Sequence, residues 1–134
     1  MTRFAIDAAT AVRMVREDVP VPDGSTLVAP SLLRSQALAL IYRRFRAGEL
    51  DEKEARRLLD GITTMRIRLL GDRVSRGAAW QLATQFDWDD TTDAEYVAVA
   101  KLQADVFITL DDELARRIGS VVTVAPFEAL SARA

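Results

Sequence analysis

The chain contains no cysteine and no histidine among its 134 residues. The first absence excludes disulfides, thiolate nucleophiles and thiolate metal sites. The second excludes an imidazole base, an imidazole metal ligand, and any Ser-His-Asp or Cys-His mechanism built from this chain alone. Lysine is scarce: of 18 basic residues only Lys53 and Lys101 are lysine, and the other 16 are arginine. No apolar run approaches the ~20 residues of a membrane span. The opening "MTRFAIDAAT" carries an acid inside its short apolar stretch, so it does not read as a signal peptide. A cytoplasmic protein with no membrane partner is expected. Catalysis is left to carboxylates, hydroxyls, Lys, Tyr and Arg, and carboxylates prefer hard cations such as Mg²⁺ or Mn²⁺ to zinc.

What is present suits an ordinary globular domain. The chain is 49% hydrophobic and 28% charged, with a net charge of −2, enough apolar material for a core without covalent staples. It has the size of one domain, and no repeat, low-complexity segment or linker divides it; a single domain over 1–134 is expected. The arginine excess suits phosphate binding, since guanidinium is the better phosphate fork. A GC-rich coding sequence would also produce it.

Along the chain, "RFAID" (Arg3–Asp7) predicts a buried strand and "AATAVRMVRE" a helix, with apolar spacing at Ala8, Ala11, Val12 and Val15. "VPVPDGSTLVAP" (Val19–Pro30) is rich in breakers and predicts a loop, extended at most over "TLVA". Pro30 and Ser31 are expected to open a helix that stops at Gly48. A second helix follows, capped by Asp51 with Glu54 at the capping-box position, and ended by Gly61. "TMRIRLL" alternates like a strand. Asp72 caps the helix "RVSRGAAWQLATQF", and Thr92 with Glu95 forms a capping box for "DAEYVAVAKLQ". The strand "DVFITL", the helix "DELARRI" and the strand "SVVTVA" complete the chain. Alternating helices and short apolar strands predict an α/β fold with a mainly parallel sheet covered on both faces.

In such sheets function gathers beyond the carboxyl ends of the strands. Asp7 ends the first strand, Asp111 follows the strand Val106–Thr109, and Asp93 lies in the first turn of a helix. Each acid alone also suits a helix start, where the dipole and free N–H groups stabilise it. Together, three neighbouring carboxylates would repel one another and raise each other's pKa. A divalent cation removes that conflict and can orient water for attack on phosphate.

The ordered segments "FAIDAAT", "TTDAEYVAVAKLQAD" and "VFITLDDELA" resemble a PIN-domain ribonuclease of the VapC-type toxin class over nearly the whole length. The resemblance implies a PIN-like three-layer α/β/α fold and a Mg²⁺- or Mn²⁺-dependent endoribonuclease. Asp7, Asp93 and Asp111 would be its catalytic and metal-binding acids. Thr109, Asp112 and Glu113 would be accessory. It also implies an RNA substrate, a homodimer, and a cognate antitoxin that inserts a segment into the active-site groove. "APSLLRSQALALIYRR" is similar to the family's second acidic segment, but Gln36 stands where the family has Glu. Gln keeps a carbonyl oxygen yet lacks the charge, so metal affinity should fall. Ala9 stands where a hydroxyl residue is common, with Thr10 a candidate substitute.

Of the arginines, Arg43, Arg44 and Arg46 cluster at the far end of the helix carrying Gln36 and are candidate RNA contacts, or simply a solvated helix end stabilised by the dipole. Arg3, Arg73 and Arg76 are scattered elsewhere. Trp80 is expected in the core, at helical spacing from Ala83; Trp88, inside "DWDD", is the better candidate for stacking on a base or facing a partner. Two further readings stay open. One is a PIN-like module that binds RNA or a partner without turnover, because Gln36 spoils the site. The other is a phosphoacceptor receiver domain, which needs a lysine at the end of a late strand; both lysines fall in predicted helices.

Overall fold

Five short strands form one parallel sheet in the order β3-β2-β1-β4-β5. The computed structural model describes residues 1–131, so the expected domain end at 134 lies outside the described residues. The strands are β1 (Thr2–Ile6), β2 (Ser25–Pro30), β3 (Arg68–Leu70), β4 (Val106–Ile108) and β5 (Val124–Ala125). The helices are α1 (Ala8–Arg16), α2 (Leu33–Arg46), α3 (Glu52–Thr64), α4 (Arg73–Gln85), α5 (Thr92–Gln103) and α6 (Asp112–Ile118), and a 3₁₀ turn spans Phe127–Leu130. Successive residues Phe4, Ala5 and Ile6 of β1 are all buried, as are Leu27, Val28 and Ala29 of β2. A strand buried at both odd and even positions has both faces covered, which is why these runs are apolar throughout rather than alternating. Helices flank the sheet in a three-layer α/β/α arrangement: α1, α2 and α3 pack together, while α5 packs on β1, β2 and β4 and against α4. None of the described helices is long and apolar enough to cross a membrane.

Several expectations needed correction. The stretch read as a loop contains β2, a full strand between β1 and β3. Its breakers lie at the margins: Gly24 turns the chain with φ +72, and Pro30 ends the strand instead of opening a helix. The following helix starts at Leu33 and has no side-chain cap. It stops as expected, with Gly48 left-handed at φ +79 just beyond it.

Helix α3 does not end at Gly61 but continues to Thr64, which shortens β3 to three residues. Gly61 is there for proximity: a Cβ would clash with Val15 Cγ1 on α1. Asp51 caps α3 by accepting from Glu54 N at 2.8 Å, while the Glu54 side chain turns to Arg57. The Thr92–Glu95 capping box does not form. Thr92 is already helical, and its N–H donates to Asp90 Oδ1 at 2.9 Å.

The burial of the two tryptophans runs against expectation. Trp80 is 72% exposed, because α4 buries Ala79, Leu82 and Ala83 and turns Trp80 outward. Trp88 is partly buried, stacked on Phe86 with ring centroids 4.9 Å apart, and covered by the Arg117 guanidinium. The left-handed residue Asp87, φ 56, turns the chain between them.

Candidate functional site

The strand order reverses direction between β1 and β4, since β2 and β3 lie on one side and β5 on the other. Crevices open at such a point, outside the carboxyl ends of the strands. A cleft of about 430 Å³ lies there. Asp7, Gln36, Arg43, Asp93, Tyr96 and Asp111 line it, with apolar wall from Leu40, Leu110 and Leu114.

Asp7 is the most firmly held of these groups. It is the N-cap of α1, and its Oδ1 accepts from the backbone N–H of Thr10 at 2.9 Å and from the Thr10 hydroxyl at 2.6 Å. Its Oδ2 accepts from the Thr109 hydroxyl at 2.6 Å. The register makes this contact natural. Ile6 pairs with Ile108, so the next residues of the two parallel strands, Asp7 and Thr109, come side by side. Thr10 and Thr109 are the buried polar residues of the described chain, and both serve this carboxylate. Thr10 thus supplies a hydroxyl one position beyond Ala9.

Asp111 caps α6, with Oδ1 accepting from Leu114 N at 3.0 Å, and its own N–H donates to Thr109 Oγ1 at 3.2 Å. Thr109 therefore links the two strand-end acids. Asp93 sits in the first turn of α5 and reaches solvent. The cleft walls still strip part of its hydration, and Asp111, Asp90 and Asp7 repel its charge. Its carboxyl is held above the ordinary value for these reasons.

Gln36, on α2, accepts a short hydrogen bond at Oε1 from the Tyr96 hydroxyl. Tyr96 is buried, and burial together with the charges of Asp7 and Glu95 raises its pKa, so it is a fixed neutral donor. Tyr96 was not singled out from the sequence as a site residue. Its spacing, three residues after Asp93 on one helix, places both on one face and could have marked it. Of the three candidate RNA-contacting arginines near the end of α2, Arg43 lines the cleft, whereas Arg44 and Arg46 lie beyond it. Asp112 and Glu113 occupy the exposed first turn of α6 and do not line the cleft.

The donor set is oxygen-rich and suits a hard divalent cation in chemical type. As the side chains stand, no three acids among the described residues converge tightly enough to enclose one ion. The fit is in donor chemistry and in placement on one cleft, not in a ready-made chelating geometry.

No family model and no curated protein matches the sequence. Among solved structures the chain is similar to PAE2754 from Pyrobaculum aerophilum, with a TM-score of 0.73 and 19% identity over 96% of this chain and 93% of that one. At that identity the likeness establishes a shared fold.

Proposed function

We propose that this chain is a divalent-metal-dependent endoribonuclease of the PIN-like, VapC-type toxin class, weakened by Gln36. One observation carries the reading: Asp7, Asp93 and Asp111, from three separate elements, line a single cleft at the switch point of the sheet. These three would hold Mg²⁺ or Mn²⁺. Such an ion, when bound, supplies a polarised phosphate oxygen and an acidified water. The chain's own part is positional. Thr10 and Thr109 fix both oxygens of Asp7, and Arg43 places a cation on the cleft wall where a phosphate would enter. A cytoplasmic setting, a homodimer and a cognate antitoxin belong to the same proposal.

A second reading has its own observation. The Gln36 oxygen that would face a metal already accepts from Tyr96, which favours a module that binds RNA without cleaving it. Cleavage of a labelled single-stranded RNA in Mn²⁺ separates the two. The enzyme reading expects weak cleavage by the natural chain, a gain in Gln36→Glu, and loss in Asp7→Asn/Gln36→Glu. RNA binding without cleavage by Gln36→Glu selects the module instead. Neither binding nor cleavage overturns both.

A further inference from the structure

The outer face of α4 lies outside the cleft and has no part in the function above. Arg73, Arg76, Gly77 and Trp80 follow one another at spacings of three, one and three residues, so they form one stripe along the helix. The two arginines are exposed, and Trp80 is 72% exposed. Among the described residues neither arginine has a carboxylate within 4.0 Å. Between Arg66 and Arg76 four arginines face a single acid, Asp72, and that carboxylate is occupied in capping α4 by accepting from Ser75 N at 2.8 Å. A locally positive segment thus stands in a chain of net charge −2.

Gly77 adds a second oddity. Glycine inside a helix costs roughly 0.8–1 kcal/mol against alanine, and here none of the described neighbours demands it, since none of them lies within 4 Å of where its Cβ would be. Its effect is a flat notch between the arginines and the indole. An exposed indole beside two unpaired guanidinium groups and a flat backbone has the features of a stacking platform with phosphate forks beside it.

We propose that the Arg73–Arg76–Trp80 stripe of α4 binds single-stranded RNA outside the cleft, with one base stacked on Trp80 and adjacent phosphates on the arginines. The choice of RNA rests on the ribonuclease reading, but the test does not involve cleavage. The full chain is titrated with a fluorescein-labelled oligouridine in EDTA, and anisotropy and tryptophan emission are followed. Binding should quench the emission. Trp80→Ala should weaken binding by about tenfold, within the range of one base–aromatic stack. Arg73→Gln/Arg76→Gln should reduce the slope of log affinity against log salt by about 1.4, or about 0.7 for each phosphate contact on a single strand.

Unchanged affinity in Trp80→Ala overturns the proposal. So does a polyglutamate peptide that binds the natural chain as tightly as the RNA and loses as much in Trp80→Ala, because the face would then take an acidic protein. Sedimentation showing that Trp80→Ala dissociates a dimer while RNA affinity stays unchanged also overturns it. Trp80-dependent binding in a chain whose Gln36→Glu variant never cleaves RNA keeps this proposal and removes only the nuclease.

Discussion

Replacing Gln36 by Glu should lower the stability of the protein without metal and make it more responsive to added metal. Without metal, a fourth carboxylate joins Asp7, Asp93 and Asp111 on one cleft. For facing charges about 9 Å apart, Coulomb's law sets the scale. At that separation each facing carboxylate costs between about 0.5 kcal/mol in a water-like dielectric and about 2 kcal/mol at an effective dielectric near 20. The Tyr96 hydroxyl, already donating to residue 36, would donate to a charged acceptor and recover part of this. A net loss of about 1–3 kcal/mol remains, or roughly 3–12 °C in melting temperature for a domain of this size. With Mn²⁺ at about 100 times its dissociation constant, binding returns about 2.7 kcal/mol. The natural chain, lacking that charge, should gain less. Thermal unfolding of both proteins in EDTA and in a Mn²⁺ series should therefore show the gap between them narrow as Mn²⁺ rises, because the variant gains more. Equal Mn²⁺ shifts for the two proteins would refute the idea that residue 36 faces the ion.

Three other substitutions test the surrounding structure. Thr109→Val removes the donor to Asp7 Oδ2 at almost constant volume; it should cost about 1.5–3 kcal/mol, as expected for a hydrogen bond to a charged group, and Thr109→Ser should recover most of it in chemical denaturation. Asp93 carries a sign prediction. Its folded pKa lies above its unfolded value near 3.8, through partial burial and then the charges of Asp111, Asp90 and Asp7. Its ionisation therefore opposes folding: the favourable contribution of the protonated form is complete below the unfolded value and is lost as pH rises through the folded one. In EDTA, Asp93→Asn should be the more stable protein at pH 7, and the difference should close as denaturation is repeated toward pH 3.5. A constant difference would mean that the charge is fully solvated. Gly61→Ala should destabilise although alanine is the better helix former, because its Cβ would clash with Val15 Cγ1; the cost should be about 1–3 kcal/mol, and Val15→Ala should relieve it in the double variant.

How much of this was legible depended on whether a local pattern had a local cause. The end of α2 at Gly48, the Asp51 and Asp72 caps and the span of α6 are set by residues within a turn of one another, and the sequence showed them. Gly61 has the same identity as Gly48 but a distant cause, the Val15 side chain on another helix. Its position therefore imitates a helix stop, and β3 is shorter than the alternation of "TMRIRLL" predicts. β2 was obscured because Pro20, Pro22 and Gly24 outweighed the short run "TLVA", which β1 and β3 order from either side. Trp80 shows the limit of spacing: helical periodicity from Ala83 gave no sign of which face α5 would cover.

The acids raised a harder question, whether each is a helix cap or part of a site. The structure makes the two compatible. Asp7 and Asp111 both cap helices, and each spends only Oδ1 on the cap. A strand that ends at the switch point must hand over to a helix there, so the residue best placed to cap that helix is also the residue that faces the crevice. The same carboxylate serves both needs, and cap chemistry by itself is no argument against function. What separates these acids from Asp51 and Asp72, which also cap helices, is the company of buried hydroxyls. Thr10 and Thr109 hold both oxygens of Asp7, and Thr109 Oγ1 also accepts the N–H of Asp111. An exposed cap needs no such support, because water would solvate its second oxygen. Two buried threonines committed to one carboxylate fix its direction, which matters when something in the cleft must meet it. Gln36 fits the same logic. A buried, neutral tyrosine that donates to residue 36 would serve a carboxylate better than an amide. The carboxylates of Asp7, Asp93 and Asp111 on the same cleft oppose a charge there, so the balance favours Glu at position 36 only with a cation in the cleft.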